Sequence, residues 1–392
     1  MYFISINTFV NRNYTNTNLE FFNNTLEFWL LATFALAIFI QLIYYWVIFA
    51  RFAFHKQKLQ TPSTDPISIV ICARNEFTNL KKYLPEILLQ DYPEFEVVMV
   101  DDGSDDETVF FLEDLAREYK HLKIVSLKEN LNFFRGKKFA LSLGIKSASF
   151  ENLLLTDADC KAAGGQWLKK MSQGFAGQKE VVLGYGKYSS HPGFINKIIR
   201  FETAFTALQY FSLALWGLPY MGVGRNLAYK KSLFYKNKGF ISHYKVSSGD
   251  DDLFINEVAN RRNTSIIVEP ESFTISEPKQ TFSLWWRQKR RHLSTGKYYK
   301  KRHKILLGGY LISLFVVFVL FITLIINKYF FIITLSLFAF RLLSQFVIFN
   351  FVFKRLMEKK LLLISPIIEL LTTILYPLIG IINLVSKESR WK

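Results

Sequence analysis

The chain has 392 residues, 50% of them hydrophobic and 17% aromatic, with 39 Phe and a formal net charge of +17. That apolar content exceeds what a soluble domain carries, and it gathers in an N-terminal run and the C-terminal third. The Lys and Arg residues cluster beside those runs, at 51–58, 289–304 and 354–360, so the charge reads as membrane flanking and nucleic acid is excluded as a partner. Cys72 and Cys160 are the only cysteines, and neither has metal-ligand spacing or the look of a disulfide framework. Their scarcity fits a reducing cytosol around the central domain.

In chain order, residues 1–25 are rich in Asn and Thr and are expected to form a disordered extracytoplasmic tail. Residues 26–50 are apolar over a length that spans a bilayer. No basic stretch precedes them and no small-residue cleavage site follows, so they do not read as a signal peptide. Arg51, His55, Lys56 and Lys58 follow the span and only Arg12 precedes it, which puts the tail outside and the central domain in the cytosol. A linker with two prolines covers 61–66.

From there strands and helices alternate. Strands are expected at 67–72, 95–100, 122–126, 152–156 and 180–185, with helices at 76–90, 105–119 and 137–147. This rhythm predicts βαβ units and a mostly parallel sheet, an α/β domain over 61–300. Residues 195–217 place Ile195, Ile198, Ile199, Phe205, Leu208, Phe211 and Leu215 at helical spacing, which predicts a helix that lies in the membrane interface plane, the favoured reading, or packs on the sheet. Residues 305–326 and 329–353 read as two further spans, the second with Arg341 at its middle, where a charge needs a partner. Residues 361–385 are apolar but broken by Pro366 and Pro377 and carry Glu369. A fourth full span would leave the basic end outside, against the charge rule, so a re-entrant or interfacial segment stands beside a full span and the topology stays open.

The chemistry centres on Asp157-Ala158-Asp159, where an apolar strand ends in two carboxylates. Ligands of open α/β sheets bind beyond the carboxyl ends of the strands. Alternate strand residues share a face, so both acids point to one site. Two hard oxygen ligands beside phosphates suit Mg²⁺ or Mn²⁺. Ala73-Arg74-Asn75-Glu76 ends the first strand in groups suited to a nucleotide, without the glycine pattern of a dehydrogenase. Asp101-Asp102-Gly103-Ser104 ends the second strand. Arg135-Gly136-Lys137-Lys138 opens a helix in a form that suits phosphate. Gly249-Asp250-Asp251-Asp252 opens another, and one of its acids is a candidate general base. Capping alone needs one acid there, not three.

These stretches, with Gly222–Tyr229 and Gln288-Lys289-Arg290-Arg291-His292, resemble family 2 glycosyltransferases of the GT-A fold. The similarity is to the membrane-embedded branch, which includes cellulose, chitin and hyaluronan synthases and ceramide glucosyltransferase. The resemblance implies a Rossmann-like catalytic domain flanked by transmembrane helices. It implies that Ala73, Arg74, Glu76, Asp102, Lys137, Asp157, Gln288 and Arg291 hold a nucleotide-sugar, expected to be a UDP-sugar. It assigns Asp159, with Asp157, to the metal, and Asp251 to the base, with Asp250 as competitor. It implies acceptor contacts at Gly224, Asn226 and His292. His292 stands where the family's Gln-x-x-Arg-Trp pattern has Trp. The expected function is inverting transfer to a lipid-linked or membrane-delivered acceptor, one sugar at a time. The alternatives are a processive polysaccharide synthase and an inactive nucleotide-binding scaffold. The expected location is the plasma or inner membrane, with the catalytic domain cytosolic.

Overall fold

The computed structural model describes residues 25–57, 64–127, 136–246 and 248–385. The expected tail up to residue 24, Arg135 and the basic end 387–392 lie outside the described residues. The chain divides into two compact units. One takes the chain to Val47 together with Leu306–Val347; the other takes Ile48–Ile305 and everything from Ile348.

The second unit holds the sheet. Helix α1 (Thr25–Ala53) leads into it through a π-helical stretch, Tyr44–Phe49. Then come β1 (Ile67–Ala73), α2 (Phe77–Leu88), β2 (Phe95–Asp101), α3 (Thr108–Glu118), β3 (Leu122–Ser126), α4 (Lys137–Ser147) and β4 (Asn152–Asp157). The short strand β5 (Cys160–Ala162) and helix α5 (Trp167–Ser172) follow, then β6 (Val181–Leu183) and β7 (Gly186–Tyr188). The long helix α6 (Phe194–Leu215) precedes β8 (Leu227–Lys230), α7 (Lys231–Lys236), α8 (Asp252–Val258), β9 (Thr264–Ile266), β10 (Thr274–Ser276) and α9 (Phe282–Leu293). The main sheet runs β3-β2-β1-β4-β8-β6-β9, and β5-β10-β7 form a second, small sheet.

The strands β3, β2, β1 and β4 are parallel, as the alternation predicts. Register does the positioning. Ala73 pairs with Asp101 and Cys72 with Asp157, so the first, second and fourth strands end level along one edge. Strand β8 runs antiparallel, with Leu227 opposite Leu155, which brings Gly224 and Arg225 to that same edge. The strands are largely apolar and mostly buried because both faces are covered. Helix α4 lies close on the sheet. A Cβ at Gly144 would come within 2.7 Å of Val70 Cγ1 and Val100 Cγ2.

Helix α6 corrects an expectation. It is buried along most of its length rather than lying in an interface plane. Its polar start explains this. Arg200 is enclosed by Glu358, Ser190 and the carbonyl of Lys359, and Glu202 is wholly inside. Three more helices close the chain: α10 (Lys301–Ile326), α11 (Phe331–Arg355) and α12 (Ser365–Val385). With α1, four helices among the described residues are long and apolar enough to cross a membrane. Helix α12 is one of them, and it belongs to the unit that holds the sheet, packing against α9.

In the first unit, α1 and the parts of α10 and α11 that fall there pack around Phe34, Ile38, Val317 and Leu324. Phe321 stacks on Phe338 with ring centroids 3.8 Å apart. Arg341 is fully buried there. It donates to Gln345 Oε1 at 2.6 Å and to Gln41 Oε1 at 3.3 Å, and it lies over the rings of Tyr45 and Phe318. Two amide oxygens and two ring faces thus take the mid-span charge.

Candidate active site

The first two strand ends are laced into one wall. Asn75, at φ 56°, accepts from the Asp105 amide, while its own amide donates to Ser104 Oγ. The Asp102 amide donates to the Ala73 carbonyl at 2.9 Å. Glu76 accepts from Asn79 Nδ2, and burial, partly offset by that bond, raises its carboxyl above the usual range. Burial also raises Asp102, against the pull of Arg74. Ala73 is buried and Arg74 exposed.

Lys137 stands at the first position of α4, after Gly136, whose φ of 127° favours glycine. Its Nζ bridges Asp157 Oδ1 at 2.7 Å and Asp250 Oδ2 at 3.1 Å. Burial opposes the Lys137 charge, but the two acids outweigh it and hold its pKa well above the ordinary value. Asp250 goes the other way. Burial pushes it up, yet Lys137 wins and its carboxyl sits below the usual range. Asp251 accepts from the Gly224 amide at 2.7 Å and the Asp252 amide at 2.7 Å. Burial and its acidic neighbours outweigh the Lys137 charge and push it up to about 7. Two adjacent carboxylates are thereby driven apart, one kept ionised and one able to take up a proton near neutrality. Asp252 faces elsewhere, accepting from Thr295 and Tyr299. Cys72, Lys137, Thr156, Asp157, Gly224 and Asp251 line one cleft.

Asp157, Asp159 and Cys160 offer ligand atoms within 4.8 Å of one another. Burial and the Asp157 charge raise Asp159, a repulsion that a cation would relieve. Burial lifts the Cys160 thiol to about 12, and Cys160 contacts Ser276 Oγ at 3.0 Å, so the carboxylates are the ligands that fit a hard cation.

Helix α9 meets the small sheet through Gln288. Gln288 Nε2 donates to Tyr188 OH at 3.3 Å. The Arg291 Nε is buried and has no hydrogen-bond partner among the described residues. His292 opens to solvent. The protein around it and the cations Lys289 and Arg291 keep its imidazole well below the ordinary value, so it is neutral.

Asn226 has a different task from the one expected. It is fully enclosed. Its amide nitrogen donates to the carbonyls of Tyr185 and Ser272, and its oxygen accepts from Trp167 Nε1. It holds the loop that presents Gly224 and has no face left for an acceptor. Arg225, which the motif reading passed over, lies beside the acids. It stacks on Tyr188 at 4.1 Å, donates to Ser276 Oγ at 3.2 Å, and feels Asp159 and Asp157. Its sequence signal was a lone basic residue within Gly222–Tyr229, and only the fold shows that Tyr188 faces it.

The pattern of Glycosyl transferase family 2 matches residues 68–243, a little under half of the chain. A segment of 102 residues is 34% identical to poly-β-1,6-N-acetyl-D-glucosamine synthase of Staphylococcus epidermidis, covering 26% of this chain and 24% of that one. A segment of 119 residues is 34% identical to β-monoglucosyldiacylglycerol synthase of Trichormus variabilis, covering 30% of this chain and 25% of that one. The chain therefore spans about a quarter of the length of these relatives. A mannosyltransferase of Pyrobaculum calidifontis, solved in complex with GDP-Man and Mn²⁺, has the same fold. Its TM-score is 0.57 at 18% identity, over 86% of this chain and 100% of that one.

Proposed function

We propose, from a central domain that belongs to glycosyl transferase family 2 and has the GT-A fold, that this protein is a membrane-embedded, inverting glycosyltransferase. Its donor is a UDP-sugar, and its acceptor is lipid-linked or delivered by the membrane. The observation that carries this reading is the meeting of three acids at one sheet edge, with Lys137 bridging Asp157 and Asp250 and the Gly224 amide holding Asp251.

Ala73, Arg74, Glu76 and Asp102 form the nucleoside wall. Gln288 and Arg291 reach the diphosphate from α9, and the orphaned Arg291 Nε supports this role. Asp159 and Asp157 would hold Mg²⁺ or Mn²⁺, which when bound supplies positive charge for the departing nucleoside diphosphate. Asp251 takes the proton of the acceptor hydroxyl. The freed oxygen attacks the anomeric carbon from the side opposite the diphosphate, and the sugar–phosphate bond breaks with its electron pair going to the diphosphate. One base suffices, and no covalent sugar–protein intermediate is needed. The donor-side Lys137 keeps Asp250 charged and out of competition for that proton. His292 offers a smaller, more polar face than Trp at the acceptor end, which favours single addition over a held, growing chain. The basic residues after α1 support a cytosolic position for the domain.

The test is purified protein in lipid, offered a panel of nucleotide-sugars with a membrane lipid extract. The expected result is release of one nucleoside diphosphate and a product one sugar heavier, abolished by excess chelator and by Asp159→Ala. Full activity in chelator would overturn the metal assignment, and a product ladder would overturn single addition.

A further inference from the structure

Helix α9, which the proposed function assigns to the diphosphate, is gripped by an acid on α6. Glu202 is fully buried, and its two oxygens take three donors. Trp285 Nε1 donates to Oε2 at 2.8 Å and Lys289 Nζ lies 3.2 Å from the same oxygen. Tyr376 OH, on α12, donates to Oε1 at 2.7 Å. Trp285 is itself fully buried. A second grip lies further along, where Arg290 Nε donates to Asn383 Oδ1 and Asn383 Nδ2 returns a bond to the Arg290 carbonyl.

We propose that Glu202 is the positioning residue that sets the rotation of α9, and that α12 is a working part of the donor site through it. This rests on the reading of Gln288 and Arg291 as diphosphate contacts. Trp285 and Lys289 lie four residues apart and so share one helix face. Both are pinned to one carboxylate oxygen, which fixes that face towards α6. Gln288 then falls on the flank turned to Tyr188, and Arg291, three residues on, shares that flank. A slip of one residue turns a helix by about 100° and would carry both side chains out of reach of the donor. A buried charge is a poor device for stability alone, since apolar packing serves as well. Converging donors on a carboxylate supply direction, which apolar packing does not.

The experiment measures binding of UDP and of UMP, each with Mn²⁺, to the detergent-solubilised full chain and its variants. UMP lacks the second phosphate that α9 is placed to hold. Glu202→Ala should weaken UDP about tenfold while UMP binding stays unchanged, the scale seen when a group supporting a binding residue is removed. Tyr376→Phe, which removes a single hydroxyl at α12, should weaken UDP in the same sense and by less. Glu202→Gln with Lys289→Met removes both charges together and should recover more UDP affinity than Glu202→Gln alone. Equal loss of UDP and UMP in every variant would mean a merely structural role, and unchanged UDP binding would mean none; either overturns the proposal. If the unmodified protein binds neither nucleotide, the functional reading itself fails and takes this role of α9 with it.

Discussion

On the proposed reading, Asp251 is the base on which the transfer turns. Burial and two acidic neighbours put its pKa at about 7, while Lys137 spends its charge on Asp250 and Asp157. A base of that pKa is half ionised at neutrality, so kcat/KM should rise with pH through about 7 and level off above it. Asp251→Asn should keep donor binding and lose transfer by about 10²–10⁴-fold. A raised folded pKa also means that stability is lost as pH climbs from the ordinary carboxylate range through 7, because the buried group must then ionise. Asp251→Asn should therefore melt at a higher temperature than the unmodified protein at pH 8, with the gap closing at pH 5. If Asp250→Asn loses transfer and Asp251→Asn retains it, the assignment is reversed. The sequence placed both acids in the site but not their division. That depends on Lys137 and the Gly224 amide, brought in from distant segments. The same holds for Asn226, whose enclosure by Trp167, Tyr185 and Ser272 no local pattern announces.

At the scale of elements, the parallel strands were legible because each is an apolar run ended by polar residues. The strands of the small sheet were not, since three residues carry no periodicity. Helix α6 shows a different limit. Its apolar spacing is real, but whether lipid or protein covers it depends on Glu358 and Trp285, far along the chain. Helix α4 gives a test of how the site is carried. Gly144 lets Lys137 sit level with the strand ends by allowing the helix close to Val70 and Val100. Gly144→Val should force that contact apart, cost about 1–3 kcal/mol as overpacking does, and lower the melting temperature. A melting temperature equal to or above that of the unmodified protein would show that the helix does not depend on this approach.

For the whole molecule, composition and charge placement already pointed to membrane helices around an α/β domain, because apolar residues in runs of span length have few other uses. What they did not show is that α12 belongs to the same compact unit as the main sheet, tied to α6 through Tyr376 and to α9 through Asn383. Proline and charge within 361–385 marked the segment as unusual without naming its partner. The account as a whole stands on one displacement at the anomeric carbon, with Asp251 as base and no nucleophile from the protein. The direct measurement is the anomeric configuration of the first product formed from an α-linked UDP-sugar, read by NMR before any equilibration. The account predicts a β-linked product; an α-linked product would contradict it.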